Sequence, residues 1–467
     1  MSVGPRLVHA AESALTIAAT RPPSDTMCLY CDLPGVGAVS RSDPAAIRTA
    51  GSPRSARPTG QDGGTDIVRG RPVKRDVGQT TRDLRRHNRT SLLTRLYLHG
   101  PASRFDLMRA TGLSSATVSN VVTDLVAEGL VAEAGLLDSD GGRPRTLLEV
   151  RPGYAQVVGV DIGETHVQVG LFDWTLDTLV TATYPMDEGR PEPAVLAGLV
   201  TAGIAEVTDK AGADPAALLG VGVGVPGTVL PDGLVHAPTL GWSGVPFDDL
   251  LRPHVAAPLH LDNCARTLGQ AEMWRGAGRG AERAIVALLA VGVGAAVATG
   301  TPGGVTSTTS EWGHTVIEAG GAECRCGSHG CLEAYVGADA ILEHYQGIAG
   351  ARPLGAGGTE QRLAALVADA SRPGAAAETV RWTAEYLGIG IANLINLLSP
   401  DRVILSGWVS AAMGPTMLPV VRDAVARHAL DYLAGGTRLE MGRLGQEAVA
   451  LGAATLPVHE LLTAGGR

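Results

Sequence analysis

Apolar residues recur at helical spacing in three short, consecutive segments near the front of the chain. The first segment is a stripe of large side chains that ends at a Gly-Pro pair: Leu92, Leu93, Leu96 and Tyr97. A second, shorter helix is predicted from Ser103, a favourable N-cap with Asp106 three positions later, to Gly112, which favours a helix end. A third helix is predicted after Ser114, and its buried positions follow the i, i+3, i+4, i+7 spacing: Val118, Val121, Val122 and Leu125.

A pair of strands follows the third helix, and the loop between them carries arginines. Gly129-Leu-Val-Ala leads into the first predicted strand, the loop reads Asp138-Ser-Asp-Gly-Gly-Arg-Pro-Arg145, and the second strand is predicted at 146–150. Three short helices followed by such a hairpin are typical of a winged helix-turn-helix, which we expect to occupy residues 77–150. A small helical module for protein interaction is the alternative interpretation.

The exposed face of the third predicted helix carries small polar residues that suit DNA. Such side chains can hydrogen-bond base edges or phosphates in a major groove, and arginines of the hairpin loop can lie over phosphates or a minor groove. The predicted DNA-binding residues are Ser114, Ser115, Thr117, Asn120, Arg143 and Arg145. Double-stranded operator DNA is therefore the expected partner of this part of the chain.

From Ala155 onward, buried strands alternate with helices and glycine turns. The predicted strands lie at 157–163, 167–171, 178–184, 219–227 and 402–407, with a further strand pair at 284–299. The predicted helices lie at 193–211 and near 379–398. Because a β-meander followed by helices and a glycine turn occurs twice, we expect residues 155–467 to form two α/β lobes with a cleft between them.

Length and charge add to this picture. A chain of 467 residues favours two or three globular units. The first 150 residues hold 19 basic and 15 acidic side chains, whereas the remainder holds 19 and 32, so only the front favours contact with a polyanion. Residues 1–76 are rich in Pro, Gly, Ser, Ala and Arg, and we expect a disordered leader in which Cys28 and Cys31 are free thiols.

Signals for membrane insertion and for secretion are both missing from the sequence. No run of about 18 apolar residues occurs, so we expect no membrane span. The first twenty residues have neither the basic start nor the apolar core of a secretory signal. A cytoplasmic location is therefore expected.

The strongest chemical signal is a group of one histidine and three cysteines within eighteen residues: His314, Cys324, Cys326 and Cys331. Three thiolates and one imidazole at this spacing are typical of a closed, tetrahedral structural zinc site. Gly327, Gly330 and the pair Gly320-Gly321 allow the loop to fold tightly around an ion. Because such a site has no open coordination position, we expect structural Zn2+ rather than hydrolytic chemistry.

The same segment resembles the signature of the ROK family (repressors, open reading frames and kinases of sugars). The resemblance lies in Glu311-Trp-Gly-His314, Cys324-Arg-Cys-Gly-Ser-His-Gly-Cys331-Leu-Glu333, Asp161-Ile-Gly-Glu-Thr165 and Gly224-Val-Pro-Gly227. It extends from about Ala155 to the C-terminus, and a winged helix in front is similar to the family's transcriptional regulators rather than its kinases. It implies a two-lobed, actin-like (ribonuclease H-like) sugar-kinase fold and the following sugar-binding residues: Asn263, Glu311, His314 and Glu333.

Four positions depart from the pattern of the family's kinases. Cys264 stands where the kinases carry a carboxylate base, and a thiol with a pKa of about 8.5 is a poor base near neutral pH. Glu164 replaces a glycine of the first phosphate turn and adds bulk and a like charge. Ala290-Val291-Gly292 replaces the Gly-Thr-Gly of the second turn, and Ser406-Gly407-Trp408 replaces consecutive glycines at the purine site. We therefore expect no kinase activity.

Together these features predict a DNA-binding transcriptional regulator, a repressor of carbohydrate genes, whose non-catalytic body senses a sugar or sugar phosphate. A homodimer or a dimer of dimers is expected from the family resemblance and from the usual palindromic operators. An active ATP-dependent sugar kinase with an accessory DNA-binding head is the alternative from a different class. A constitutive DNA-binding protein with a vestigial pocket is a third interpretation.

Overall fold

The computed structural model of the chain describes residues 80–137, 144–186, 189–301 and 304–467. The predicted leader at 1–76, with Cys28 and Cys31, and the predicted DNA contact Arg143 lie outside the described residues. Among the helices of the described ranges, none combines the length and the apolar character that crossing a membrane requires.

The described chain begins with a front module of three helices and a small antiparallel sheet. Its elements are Thr81–His99 (α1), Ala102–Ser103 (β1), Arg104–Thr111 (α2), Ser115–Ala127 (α3), Val131–Leu137 (β2) and Arg145–Val150 (β3), with the sheet order β1-β3-β2. Thr80 with Asp83 and Ser103 with Asp106 form reciprocal capping boxes at the starts of α1 and α2, and Gly112 ends α2 in the left-handed conformation. The buried face predicted for α3 is confirmed: Val118, Val121, Val122 and Leu125.

The first lobe is built on a five-stranded sheet. Its elements are Gln156–Ile162 (β4), His166–Asp173 (β5), Thr178–Pro185 (β6), Pro193–Ala211 (α4), Val221–Val225 (β7), Thr228–Val229 (β8), Val235–Ala237 (β9), Trp242–Val245 (β10), Phe247–Leu251 (α5) and Leu259–Asn263 (β11). The sheet order is β11-β7-β4-β5-β6, in which β4, β5 and β6 form an antiparallel meander and β7 and β11 add parallel strands. The helix predicted at 193–211 is confirmed; Pro193 starts it and Gly212 ends it in the left-handed conformation.

The second lobe repeats this topology. The remaining elements are Cys264–Arg275 (α6), Arg283–Leu289 (β12), Val293–Thr301 (β13), Gly304–Ser310 (β14), Glu333–Val336 (α7), Ala338–Gly347 (α8), Thr359–Asp369 (α9), Ala375–Leu398 (α10), Arg402–Ser406 (β15), Trp408–His428 (α11), Asp431–Ala434 (α12), Arg438–Met441 (β16) and Ala448–Thr463 (α13). The sheet order is β14-β13-β12-β15-β16, again a meander extended by two parallel strands. The prediction of two α/β lobes is confirmed.

Helices α6 and α13 connect the two lobes. They pack against each other, and α6 also packs on β13 while α13 packs on β4 and β7. Glycines in those strands permit this close approach, because a Cβ atom at Gly159 or Gly222 would lie 1.9 Å from a backbone oxygen of α13. The buried core around α6 and α13 is continuous with the core of the front module, since Leu92 of α1 and Trp274 of α6 belong to one cluster.

Candidate functional site

A cavity of about 530 Å³ lies between the two lobes. Its walls come from the ends of β4, β7 and β11 in the first lobe, and from β13, the turn at 311–314 and the start of α7 in the second. All four residues that the family resemblance assigns to a sugar line this cavity: Asn263, Glu311, His314 and Glu333. A cleft of this size with a few convergent polar groups is typical of a small-molecule site.

Asn263 ends β11 and caps α6. Its side-chain oxygen accepts hydrogen bonds from the backbone N–H groups of Ala265 and Arg266 at 2.8 and 3.1 Å, and its side-chain nitrogen donates to the Gly227 carbonyl at 2.6 Å. These bonds fix the amide at the cavity wall. The preceding carboxylate, Asp262, pairs instead with Arg266 at 2.8 Å and is not part of the wall.

Cys264 begins α6 and lines the cavity close to two carboxyl groups. Burial raises the pKa of the Cys264 thiol well above its usual range, and the carboxyl groups of Asp161 and Glu164 raise it further. Burial, with a smaller contribution from Glu164, also raises the pKa of Asp161 to about 7. A thiol that keeps its proton at neutral pH cannot act as a general base.

Side-chain hydrogen bonds cross the cleft from the first lobe to the second around the cavity. The pairs are the Glu164 carboxylate with the Gly292 N–H (3.2 Å), the Thr228 hydroxyl with Glu311 (3.0 Å) and the Thr165 hydroxyl with Glu360 (2.8 Å). Sequence patterns did not indicate these pairs, because each joins residues far apart along the chain. The protein therefore holds its own lobes together across the cavity.

The four predicted metal ligands lie together in the second lobe. The ligand atoms of His314, Cys324, Cys326 and Cys331 all lie within 4.8 Å of one another. The sulfur atoms of Cys326 and Cys331 are 3.8 Å apart, and the Cys324 sulfur lies 3.6 Å from His314 Nδ1. A tetrahedral ion with bonds of about 2.3 Å to sulfur requires edges of about 3.8 Å, so this set can hold one metal ion.

Arg325 links the metal-ligand loop to the cavity wall. Its Nε atom lies 2.9 Å from the Glu333 carboxylate, and its Nη2 atom donates to the Val291 carbonyl at 3.1 Å. Glu333 is only 3% exposed and also accepts the Val293 N–H at 2.8 Å. Glu333 therefore supports the loop as well as lining the cavity, and the loop in turn fixes the turn at 290–293.

Five of the six predicted DNA contacts lie within the described part of the front module: Ser114, Ser115, Thr117, Asn120 and Arg145. Ser115 and Asn120 on α3 are exposed, as is Ser114 immediately before the helix. Ser114 also caps α3, since its hydroxyl accepts the Thr117 N–H at 3.2 Å. Arg145 begins β3, and its guanidinium lies 4.4 Å from the centre of the Phe105 ring on α2, a cation–π contact. This contact holds Arg145 of the hairpin beside α2.

The paired lobes and the Cys₃His cluster beside an interlobe cavity define the sugar-kinase-like class of α/β proteins. The family model described as the ROK family matches residues 157–460. The chain belongs to the ROK family.

Relatives of this chain include both repressors and kinases. The xylose repressor of Caldicellulosiruptor bescii is 27% identical over 372 residues, which cover 77% of this chain and 92% of that protein. The glucokinase of Halalkalibacterium halodurans is 32% identical over 323 residues, which cover 63% of this chain and 92% of that protein. The crystal structure of a ROK family transcriptional regulator, a homologue of the Escherichia coli MLC protein, matches with a TM-score of 0.67 at 20% identity. That match covers 82% of this chain and 98% of the other, and it shows the fold.

Proposed function

We propose that this chain is a sugar-responsive transcriptional repressor. In this proposal residues 77–150 are a winged helix-turn-helix that binds operator DNA, and residues 155–467 bind a sugar without phosphorylating it. The observation that carries the proposal is the presence, in one chain, of helix α3 with an exposed polar face and of a sugar-kinase-like cavity with Cys264 at the base position. The repressor relative supports it, because its match covers 77% of the chain against 63% for the glucokinase.

Helix α3 is the proposed recognition helix. It follows α2 after a short turn, and its buried face packs into the module while Ser115 and Asn120 remain exposed. The strands β2 and β3 form the proposed wing, from which Arg145, with Arg143, contacts phosphates. A homodimer is part of the proposal, because two copies of α3 would then read the two halves of a palindromic operator.

The cavity is the proposed effector site. The amide of Asn263 and the carboxylates of Glu311 and Glu333 suit vicinal sugar hydroxyls, which both donate and accept hydrogen bonds. Loss of a general base typically costs about 10² to 10⁴ in rate, so the thiol of Cys264 supports binding without transfer. Zinc is the proposed ion of the Cys₃His cluster, where it would hold the loop that carries His314 and Arg325 against the cavity.

Two helices provide the proposed route from the cavity to the front module. Helix α6 lines the cavity with its first residue, Cys264, and its other end carries Trp274, whose ring centre is 5.4 Å from that of Tyr97 on α1. Helix α13 lines the cavity with Ala448, and the carbonyl of its last residue, Thr463, accepts a hydrogen bond from the α1 hydroxyl of Thr90 at 3.1 Å. A shift of either helix at the cavity therefore reaches α1.

Helix α1 is also anchored to the loops of both lobes. The Tyr97 hydroxyl donates to the Trp174 carbonyl at 2.6 Å in the turn after β5, and Arg279, after α6, donates to the Leu98 carbonyl at 3.2 Å. Because α1 contacts both lobes, a change in the angle between them must either move α1 or break these contacts. A ligand that prefers one lobe arrangement would then shift the orientation of the DNA readers.

The proposal is tested by operator binding in the presence of sugars. Sequencing of genomic fragments captured by the purified full chain identifies the operator. A thermal-shift screen identifies the sugar, because a ligand at 100 times its Kd adds about 2.7 kcal/mol of stability. The double variant S115A/N120A should lose sequence-specific DNA binding while keeping the thermal shift with sugar. Retention of specific binding by that variant would contradict the role of α3.

An active sugar kinase is the second candidate function. It is favoured by Asp161, a buried carboxyl group in the cavity with a pKa of about 7, which is suited to proton transfer at neutral pH. A coupled assay of ATP consumption over a sugar panel separates the two functions. Turnover near 1 s⁻¹ is ordinary for a sugar kinase and would contradict a purely regulatory role.

A further inference from the structure

We infer that the cavity accepts an uncharged, unphosphorylated sugar, and that Glu164 sets this preference by occupying the backbone N–H at which a ligand phosphate would bind. The inference rests on the proposed function for the claim that a sugar binds at all. It deepens that function, because the family resemblance leaves a sugar and a sugar phosphate equally open.

The charge of the cavity wall opposes an anionic ligand. Five carboxyl groups line it: Asp161, Glu164, Glu311, Glu333 and Glu360. None of the described residues in the wall is a lysine or an arginine. The nearby guanidinium of Arg325 is already paired with Glu333 at 2.9 Å. Burial raises the pKa of Asp161 to about 7 and also raises the pKa of Glu164, so Asp161 is only partly ionised at neutral pH. A phosphate group would still lose its water beside the remaining carboxylates and would find no lysine or arginine among the described wall residues in return.

Glu164 takes the place that a phosphate would need. Gly292 lies in a turn whose backbone N–H points into the cavity, and such N–H groups commonly bind anions. Here the N–H donates to the Glu164 carboxylate at 3.2 Å. The space that a side chain at Gly292 would use lies 3.0 Å from Glu164 Oε1 and 3.4 Å from Glu333 Oε2. An incoming phosphate would have to displace one carboxylate and lie against the other.

The cavity keeps polar groups that suit a neutral sugar. Gln168 on β5 is only 8% exposed and lines the cavity, and its side-chain oxygen has no hydrogen-bond partner among the described residues. The hydroxyl of Thr239 in the same wall is likewise without a partner there. Buried polar atoms are normally satisfied, so these two are natural partners for ligand hydroxyls. They require hydrogen bonds and no charge.

The first test compares matched ligands on wild-type protein, E164G and E164Q. Titration calorimetry measures the Kd of each ligand separately, and the Kd values are compared within two pairs. The pairs are glucose with glucose 6-phosphate, and N-acetylglucosamine with N-acetylglucosamine 6-phosphate. In the wild type the unphosphorylated member should bind at least about tenfold tighter, and E164G should reduce that ratio at least about tenfold. E164Q removes the charge but keeps an acceptor, so its ratio should lie between the two. A phosphorylated sugar that binds wild-type protein as tightly as its parent would overturn the inference.

The second test does not depend on which sugar binds. Inorganic pyrophosphate should bind E164G at least about tenfold tighter than wild-type protein, and equal affinity would overturn the inference. In ligand-free protein, hydrogen–deuterium exchange at the Gly292 amide should be slow in the wild type and E164Q and at least about tenfold faster in E164G. E360Q, which removes a wall carboxylate bonded to Thr165 rather than to Gly292, should leave that exchange unchanged.

The two tests separate failure of the inference from failure of the proposed function. If no sugar in a broad library binds, the sugar sensor is wrong, while pyrophosphate binding and amide exchange still decide the role of Glu164. If sugars bind but the Gly292 amide exchanges equally fast in the wild type and E164G, the proposed sugar-binding function is retained and the role inferred for Glu164 is wrong.

Discussion

Two arginines of α1 form ion pairs with carboxylates at the C-terminal end of α3, but their surroundings differ. Their replacement by alanine should therefore lower the free energy of unfolding by very different amounts. Arg85 pairs with Asp124 at 2.6 Å with 63% of its side chain exposed, whereas Arg89 pairs with Glu128 at 2.5 Å with 3% exposed. Arg89 also donates from Nε to the carbonyl of Gly465 at 2.8 Å, beyond the end of α13. Arg89→Ala therefore removes a buried guanidinium from a partly buried ion pair, together with a link between α1 and the C-terminal residues.

The loss of stability in each variant depends on which contacts the unpaired carboxylate retains. Removing one member of a fully buried ion pair costs about 3–5 kcal/mol. The Glu128 side chain is 33% exposed and retains Arg467 at 3.3 Å, so water and a second arginine offset part of that cost. We expect Arg89→Ala to lower the free energy of unfolding by about 2–4 kcal/mol, including the lost bond to Gly465. Arg85→Ala removes a more exposed pair between α1 and α3 and should lower the free energy of unfolding by about 0–1 kcal/mol.

The effect of Arg89 should also depend on pH. Burial alone would raise the pKa of Glu128, but hydrogen bonds and the charges of Arg89 and Arg467 outweigh it and hold that pKa below its usual range. Because the folded pKa is lower than the unfolded value of about 4.3, the stabilisation is present above that pH and is lost as the pH falls through the folded value. The difference between wild type and Arg89→Ala should therefore shrink under acidic conditions.

Urea unfolding followed by circular dichroism measures both variants. Arg85→Ala serves as the matched control, because it removes the same side chain from the same helix. Equal costs in the two variants, or a cost below about 1 kcal/mol for Arg89→Ala at pH 7, would refute the reasoning. If the difference in unfolding free energy between wild type and Arg89→Ala grows on acidification, the electrostatic contribution assigned to the Arg89–Glu128 pair is wrong.

Three other substitutions probe the cavity, the metal cluster and the hairpin. Burial raises the pKa of Asp161 in the folded protein to about 7, so ionising this group destabilises the fold as the pH rises. Asp161→Asn should therefore be increasingly more stable than the wild type between about pH 4 and 7, by up to about 4 kcal/mol. Parallel curves of stability against pH for the two proteins would contradict this. Cys326→Ser should release the metal and lower the Tm, since the energy of metal binding is partly folding energy; a retained ion in elemental analysis would exclude the tetrahedral set. Arg145→Ala should weaken operator binding and reduce its salt slope by about one, whereas the exposed Arg372→Ala should change neither.

Elements with strong local signals were predictable from the sequence. Helix α4 starts at Pro193 and ends before Gly212 because a proline suits the first helical turn and a glycine suits the left-handed position after the last. The buried face of α3 follows from its apolar spacing alone. The clustering of His314, Cys324, Cys326 and Cys331 was predictable as well, because these residues lie close together in the sequence and their spacing is typical of a structural metal site.

Features that depend on distant residues were not predictable. Helix α11 runs from Trp408 to His428 through two internal prolines, which local rules would treat as breaks. For Glu164 the sequence indicated only that it disfavours phosphate; its bond to the Gly292 N–H spans 128 positions and depends on how the lobes close. The anchoring of Arg89 by the C-terminal residues has no local pattern at all, because it joins positions 376 apart.

The linkage between operator and sugar tests the central claim most directly. Fluorescence anisotropy measures the Kd of a labelled operator with and without saturating sugar, and calorimetry measures the Kd of the sugar with and without saturating operator. We predict that sugar changes the operator Kd by at least about fivefold, and that operator changes the sugar Kd by the same factor. An operator Kd that is the same with and without a sugar known to occupy the cavity would contradict the account.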